Sequence, residues 1–389
     1  MLPGLNLPDW TTTLVILLVA LGFVIAVMLA WAFDIGPDGI HRTPKVSEDK
    51  VTGESPEPAP DQAAPKVPAK PKAETGSRKS IAVLPFVNMS GDAENEYFSD
   101  GIAEEILNLL VKLPQLKVAS RTSSFVFKGK EANIPTVAGE LGVDTVLEGS
   151  VRRAGDRVRI TAQLIEAASD SHLWSETYDR EMRDVFAIQD DIAQSIVDAL
   201  EVTLSPQERR SIQYVATSDA RAFDFYLRGR NYMYTMTRRD YEHAIRMFEQ
   251  AIAVDAKYAL AYAGLADAYS HLYRYADATQ KNVRKSVEAS EKAIALDSDA
   301  AEPHASRGLS LFISGQFEAA KQEFEVAIRL NPNLFDAYYY YGLACSSNSD
   351  FESAEKMYLK AMEVNPADYQ SPLFLAQAYT SMGRKHDEM

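Results

Sequence analysis

Six histidines, a single cysteine and several neighbouring acid pairs are the residues here that could support metal binding or acid–base catalysis. Metal sites need ligands at short, regular spacing, and His41, His172, His243, His271, His304 and His386 are scattered without it. Asp190–Asp191 and Glu104–Glu105 are adjacent on helical patterns. Successive helical residues diverge by about 100°, so neither pair converges on one proton, and both read as solvated faces. His172, in "SHLWSE", reads as a hydrogen-bonded structural residue beside a strand. "GSVRRAG" has spaced glycines but lacks the Lys-Ser/Thr that grips phosphate. Cys345 can form no intrachain disulfide and reads as a small packing residue. No catalytic residue, metal site or cofactor is expected.

The elements that would position any site fall into distinct zones. The chain has 389 residues, enough for two or three folding units. Its net charge of −15 argues against a nucleic-acid surface.

Residues 1–13 form a short lead, and residues 14–33 are an uncharged apolar run with Trp10 and Trp31 near its two ends. At about 1.5 Å per residue that run could cross a ~30 Å hydrocarbon layer. The basic residues Arg42, Lys45 and Lys50 follow it and none precedes it, so the positive-inside rule places the amino terminus outside and the bulk inside. Residues 34–78, rich in Pro, Ala and charge ("ESPEPAPDQAAPKVPAKPK"), read as a disordered tether.

From Lys79 the pattern becomes that of a compact α/β domain. "SIAVLPF" is a strand buried on both faces. "EYFSDGIAEEILNLLVKLP" carries Phe98, Ile102, Ile106, Leu109 and Leu113 on one helical stripe and ends at Pro114. "LKVAS" is a strand, and "IPTVAGELG" a short helix. "VDTVLEGSVRR", "RVRITAQLIEA" and "SHLWSETYD" are three strands in series, the second alternating in period two. "DVFAIQDDIAQSIVDALEVTL" closes the domain as a helix. The expected order is β-α-β-α-β-β-β-α over residues 79–203.

Residues 216–389 read as an all-α array. "AEPHASRGLSLFISGQFEAAKQEFEVAIRLNPN" and "FDAYYYYGLACSSNSDFESAEKMYLKAMEVNPA" align at an offset of 34 through Gly308/Gly342, Phe317/Phe351, Ala320/Ala354, Phe324/Tyr358, Ala327/Ala361 and Pro332/Pro366. That is the period of a tetratricopeptide repeat. The clear repeats are 301–334 and 335–368. Looser units cover 222–258 and 259–300, and a partial one covers 369–389, which leaves a frayed end or an array longer than this chain.

"LFDAYYYYGLA" sets four tyrosines side by side, and a helix cannot turn all four to one core. The repeat register assigns Tyr338 and Tyr341 to packing, Tyr340 to the outer surface and Tyr339 to the concave groove. It sends Ala305, Leu309, Phe312, Asp336 and Leu343 to the same groove, a candidate surface for a protein or peptide partner.

Resemblance extends this reading. "SIAVLPFVNMSGDAENEYFSDGIAEEI", "LGVDTVLEGSVRRAGDRVRITAQLIEAASDSHLWSETYDRE" and "VFAIQDDIAQSIV" resemble a domain akin to the amino-terminal domain of TolB. Such domains commonly sit between an effector, either a class III adenylate cyclase or a CadC-like winged-helix module, and tetratricopeptide repeats. "LNLPDW" and "AWAFDIGPDGIHR" look like the flanks of the second membrane helix of a bacterial inner-membrane family. That implies an amino-terminal truncation or a start further upstream. The expected whole is thus multidomain: one transmembrane helix, a disordered linker, a TolB-like α/β domain and a repeat solenoid. It would be anchored in the bacterial inner membrane with its bulk cytoplasmic. Its expected role is a non-enzymatic interaction scaffold, or else the regulatory part of a signalling protein whose effector is missing or acts in trans.

Overall fold

A computed structural model of the chain describes residues 33–36, 39–42, 79–130, 132–212 and 216–383. It divides into two units, 1–73 and 74–389. In the first, strands β1 (Phe33–Gly36) and β2 (Gly39–Arg42) pair antiparallel, with Phe33 opposite Arg42 and Gly36 opposite Gly39.

Two expectations are corrected here. Phe33, the expected last residue of a membrane helix, opens a β-strand, and residues 39–42, expected within the tether, are the paired strand. The sequence "GPDG" between the strand cores is rich in turn formers, and turn chemistry of this kind favours a hairpin over a continuing helix. No helix among the described residues is long and apolar enough to cross a membrane, so the anchored, inner-membrane placement loses its support. Residues 14–32 and 43–78 lie outside the described residues.

The second unit begins with a sheet in the order β5-β3-β6-β7-β8: β3 (Lys79–Val83), β5 (Leu116–Val118), β6 (Thr145–Ala154), β7 (Arg157–Glu166) and β8 (Ser171–Glu181). The short β4 (Val87–Asn88) also pairs with β6. Strand β3 lies parallel to β5 and β6, joined through helix α1 (Glu96–Val111), while β6, β7 and β8 form an antiparallel meander. Alternate residues of a strand face opposite sides. Ile81 and Val83 accordingly join Phe98, Ile102, Ile106 and Leu110 of α1 and Ile188, Ile192 and Ile196 of α4 (Val185–Ala199). Ala82 packs on the other face with Ala138 of α3 (Ile134–Leu141). Each such large apolar side chain contributes about 1.5–3 kcal/mol by leaving water. The sequence order of elements is recovered, with β4 and the one-turn helix α2 (Arg121–Phe125) added. His172, expected as a hydrogen-bonded structural residue, lies exposed on β8.

After α5 (Pro206–Ile212) come antiparallel helix pairs: α6 (Ala220–Met233) with α7 (Arg238–Val254), α8 (Ala259–Tyr275) with α9 (Gln280–Leu296), α10 (Ala301–Ile313) with α11 (Phe317–Leu330), and α12 (Phe335–Ser347) with α13 (Phe351–Val364). Helix α14 (Gln370–Ser381) follows. Within the pairs, glycine permits the close approach that the 34-residue alignment requires. A Cβ on Gly308 would fall 2.5 Å from the Phe324 ring, and one on Gly342 would fall 2.7 Å from the Tyr358 ring. Overpacking of this kind costs about 1–3 kcal/mol. Gly308→Ala is therefore expected to lower Tm by several degrees in a thermal melt, while Gly139→Ala, at an exposed helix position where nothing stands near the added carbon, should raise it slightly. Equal melts for the two variants would remove the close-packing account.

The sheet and the array are not beads on a string. One continuous apolar core runs from Ile81 of the sheet through Leu227 and Phe248 of the first helix pair to Ala289 of the second, and another joins the third and fourth pairs around Phe324, Tyr341 and Tyr358.

Candidate functional site

The groove residues named from the register divide into two sets. Leu309, Leu343 and Tyr339 are buried within the core of the third and fourth pairs, with Phe312 packed partly buried against it. The Tyr339 ring stacks on Phe335 and its hydroxyl donates to Gln370 Oε1. Ala305 and Asp336 instead line one recess near the starts of α10 and α12. Tyr338 and Tyr341 are buried as expected. Tyr340 is not on the outer surface: it is 7% exposed, and its hydroxyl lies 2.9 Å from His271 Nε2. The helix solves the four-tyrosine problem because neighbouring repeats cover both of its flanks, so one face is core within the pair and another is core between pairs.

The sheet domain packs against α6 and reaches the loops that precede α12 and α14. Helix α1 makes this contact possible because it is buried on two sides. One side carries its apolar stripe. The other carries Tyr97, Gly101 and Glu104, at the i, i+4, i+7 spacing that shares a helix face. A Cβ on Gly101 would lie 2.7 Å from Leu227 of α6, so the two helices nearly touch there.

On either side of that contact are two polar nodes. In the first, Asp224 of α6 accepts from Tyr97 at 2.6 Å, from Arg153 of β6 and from Arg228 at 3.1 Å. In the second, the Glu104 side chain, 6% exposed, accepts from Arg121 Nε at 2.9 Å, from Arg230 Nη2 at 2.7 Å and from the Tyr234 hydroxyl. The Arg121 guanidinium lies 3.6 Å over the Tyr234 ring, stacking the sheet domain's cation on an aromatic from the array. Burial alone would raise the Glu104 carboxyl, but Arg230, Arg121 and the Tyr234 hydroxyl hold it down at about 2. Further along, Asn365 accepts from Ser120 at 2.6 Å and donates to Thr122 at 3.1 Å, and Asn333 donates to the Val111 carbonyl at 3.2 Å.

Glu104 is the residue that the sequence reading missed, having been assigned to a solvated face. Gly101 inside an otherwise strong helix, one turn before it, was the available signal, since glycine there is costly unless another backbone or side chain must come close.

Between the domains a cleft of about 700 Å³ remains, within the range of small-ligand sites. Its walls include Glu105 and Asn108 of α1, Lys112 just after it, Gln189 and Asp190 of α4, Tyr226 and Arg230 of α6, and Glu302 and Asp336 at the starts of α10 and α12. Acid outnumbers base in this lining. Burial, reinforced by the Glu104 charge, pushes Glu105 up to about 7. Burial, with the Asp336 charge, does the same to Asp267 at the recess below. Among the described residues no group of three His, Cys, Asp or Glu is placed to hold a metal ion. Cys345, 1% exposed, is a core residue whose thiol burial pushes up to about 12, so it is no nucleophile.

Comparison with known proteins supports the two-part architecture. Residues 77–198 match the family described as HilA/YgeH-like transcriptional regulator, second domain. Residues 301–334 and 335–368 each match the tetratricopeptide repeat. A curated protein of Rhizobium meliloti (strain 1021), named putative adenylate cyclase 3, is 39% identical over 252 residues, which is 64% of this chain and 43% of that protein. The chain thus spans less than half the length of that relative. Similar solved structures include a tetratricopeptide-repeat protein of Thermus thermophilus (19% identity, 51% of this chain and 95% of that one, TM-score 0.35) and MamA (22% identity, 42% and 82%, TM-score 0.31).

Proposed function

We propose that this chain is a non-catalytic regulatory module in which the repeat array docks a protein partner and the sheet domain carries the effect of docking to an effector of cyclase or transcriptional-regulator type. The observation that carries this reading is the Glu104 node. A nearly enclosed carboxylate on the sheet domain is held by Arg230 and Tyr234 of the first repeat helix, so anything that shifts the array is felt at α1. Tetratricopeptide repeats support a protein or peptide partner. The regulator-type match of the sheet domain and the cyclase name of the relative support the class of effector. The TolB-like reading of residues 79–203 belongs to the same proposal, on the strength of motif order. Exposed Tyr369 and Leu373, at 70% and 64%, flank the start of α14 and offer one partner contact.

The test introduces a photo-crosslinking residue at Leu173, exposed on β8 of the sheet domain, in the full chain in its own cells. The expected product joins the chain to a nucleotide cyclase or a DNA-binding regulator. Recovery of crosslinks only between copies of this chain, or conversion of ATP to cyclic AMP by the purified chain alone, would overturn the reading.

A further inference from the structure

Arg274, at the end of α8, is an arginine without an acid. Among the described residues four other arginines are partly buried, and each holds a carboxylate. Arg121 and Arg230 share Glu104, Arg153 holds Asp224, and Arg307 holds Glu291. Arg274 is also partly buried, yet its Nη1 is shut off from solvent and meets no acceptor among the described residues. Charged groups of low exposure are ordinarily paired. Its Nε and Nη2 remain open to solvent and free of hydrogen bonds to the described residues.

Aromatic rings stand where an acid would. The Arg274 Cζ lies 5.2 Å from the centre of the Tyr275 ring and 5.6 Å from that of Phe312. The His271 ring stacks on both Tyr241 and Tyr275. Burial and then the Arg274 charge push that imidazole down to about 3, so it is neutral and leaves the positive charge to Arg274. Tyr339 borders Tyr275 and donates to Gln370, whose amide nitrogen lies 3.9 Å from Met236 Sδ. Met236, Tyr275 and Tyr369 are all exposed. They give an apolar rim beside two open guanidinium nitrogens.

Nε and Nη2 form the side-on fork that a carboxylate fits with two parallel bonds. A run of acids is repelled by a chain of net charge −15, whereas a lone acid between apolar side chains gains from both the rim and the fork. We propose that Arg274 and its aromatic surround dock a partner segment carrying one Asp or Glu between apolar residues. The carboxylate forks onto Nε and Nη2, and its neighbours rest on Met236, Tyr275 and Tyr369. This rests on the regulatory reading above and deepens it by naming what the repeat array takes from its partner. It can also fail alone, because binding is measured on the isolated chain without any effector.

The test exposes the immobilised full chain to acetylated, amidated pentapeptides with glutamate at the centre and random Leu, Phe, Tyr and Met around it. The side-chain carboxylate is then their only anion. Retained peptides are identified by mass spectrometry and titrated by calorimetry. Saturable binding to one site is expected, about tenfold tighter than for the same peptides with central glutamine, a difference of ~1.4 kcal/mol. Arg274→Gln should abolish that difference while keeping the parental melt, since no ion pair is lost with it. Arg274→Lys should recover only part of it, because an ammonium lacks the fork. Arg246→Gln, on the exposed face of α7, should change nothing. Tyr369→Ala, at an exposed position, should weaken both peptides, and it decides the location if Arg274→Gln fails to fold. No saturable binding, equal binding of the glutamate and glutamine peptides, an Arg274→Gln chain that keeps the preference, or tighter binding of hexaglutamate or of phosphoserine-centred peptides would each overturn the proposal. Each of these outcomes leaves the crosslinking result at Leu173 to stand or fall by itself.

Discussion

Glu104→Ala is expected to loosen the repeat array from the sheet domain while leaving each with its secondary structure. The substitution leaves the Arg121 and Arg230 guanidinium groups, with side chains 22% and 30% exposed, facing each other with no carboxylate between them. Removing one partner of a buried ionic node typically costs about 3–5 kcal/mol, because the remaining charge stays desolvated. Tyr234 also loses the acceptor of its hydroxyl. A thermal melt followed by circular dichroism should show a lower midpoint, and the single transition should split as the two parts come apart. Arg121→Ala is a milder case, since Arg230 and Tyr234 remain on the carboxylate. Exposed pairs such as Lys360–Glu363 contribute little, so Glu363→Ala serves as the control. If Glu104→Ala melts as one transition at the parental temperature, the node does not join the domains and the regulatory reading loses its basis.

The contrast between what the sequence discloses and what it conceals follows from how far each interaction reaches. The 34-residue offset is a local periodic signal. It locates the Gly308–Phe324 and Gly342–Tyr358 contacts correctly because those residues lie within one repeat. The β6–β7–β8 meander is equally legible, since period-two alternation and short turns act over adjacent strands. Glu104 is different. Its partners Arg121 and Arg230 lie 17 and 126 positions away, and no pattern in α1 announces that a second surface will cover its polar side. Tyr340 fails for a related reason: the register describes one repeat, whereas its hydroxyl meets His271 two helix pairs back. The amino-terminal segment shows the opposite hazard, a strong composition signal whose predicted helical end at Phe33 is a paired strand.

Stability should fall as pH rises through neutrality, and the sign follows from the same carboxylates. Glu104 is held below its ordinary value, so its contribution is complete above about 4.5 and disappears only as pH falls toward about 2. Glu105 and Asp267 act in the reverse sense. Their folded forms hold the proton up to about 7, through burial first and then the charges of Glu104 and Asp336 respectively. A group that binds its proton more tightly when folded stabilises the fold most at low pH, and that stabilisation declines as pH rises between its unfolded and folded values. The groups facing Glu105 are Glu104, Glu302, Arg230 and Lys112, and those facing Asp267 are Asp336, Ser306 and Arg230. Only two of these are cations to oppose the trend. Asp190, at about 6, and His304, raised by Glu323 against the opposing effect of burial, add to it in the same direction. His271, its imidazole pushed down to about 3 by burial and then by the Arg274 charge, acts in the opposite sense below about 6.5 and offsets part of this. The chain should therefore be more stable near pH 5.5 than near pH 8.5, because the carboxylates outnumber that histidine. Melts across that interval should slope downward, and Glu105→Gln with Asp267→Asn should flatten most of the slope while raising the midpoint at pH 8.5. A profile that rises from pH 5.5 to 8.5, or a double variant with an unchanged slope, would show that the cleft carboxylates are ionised and solvated in the folded chain.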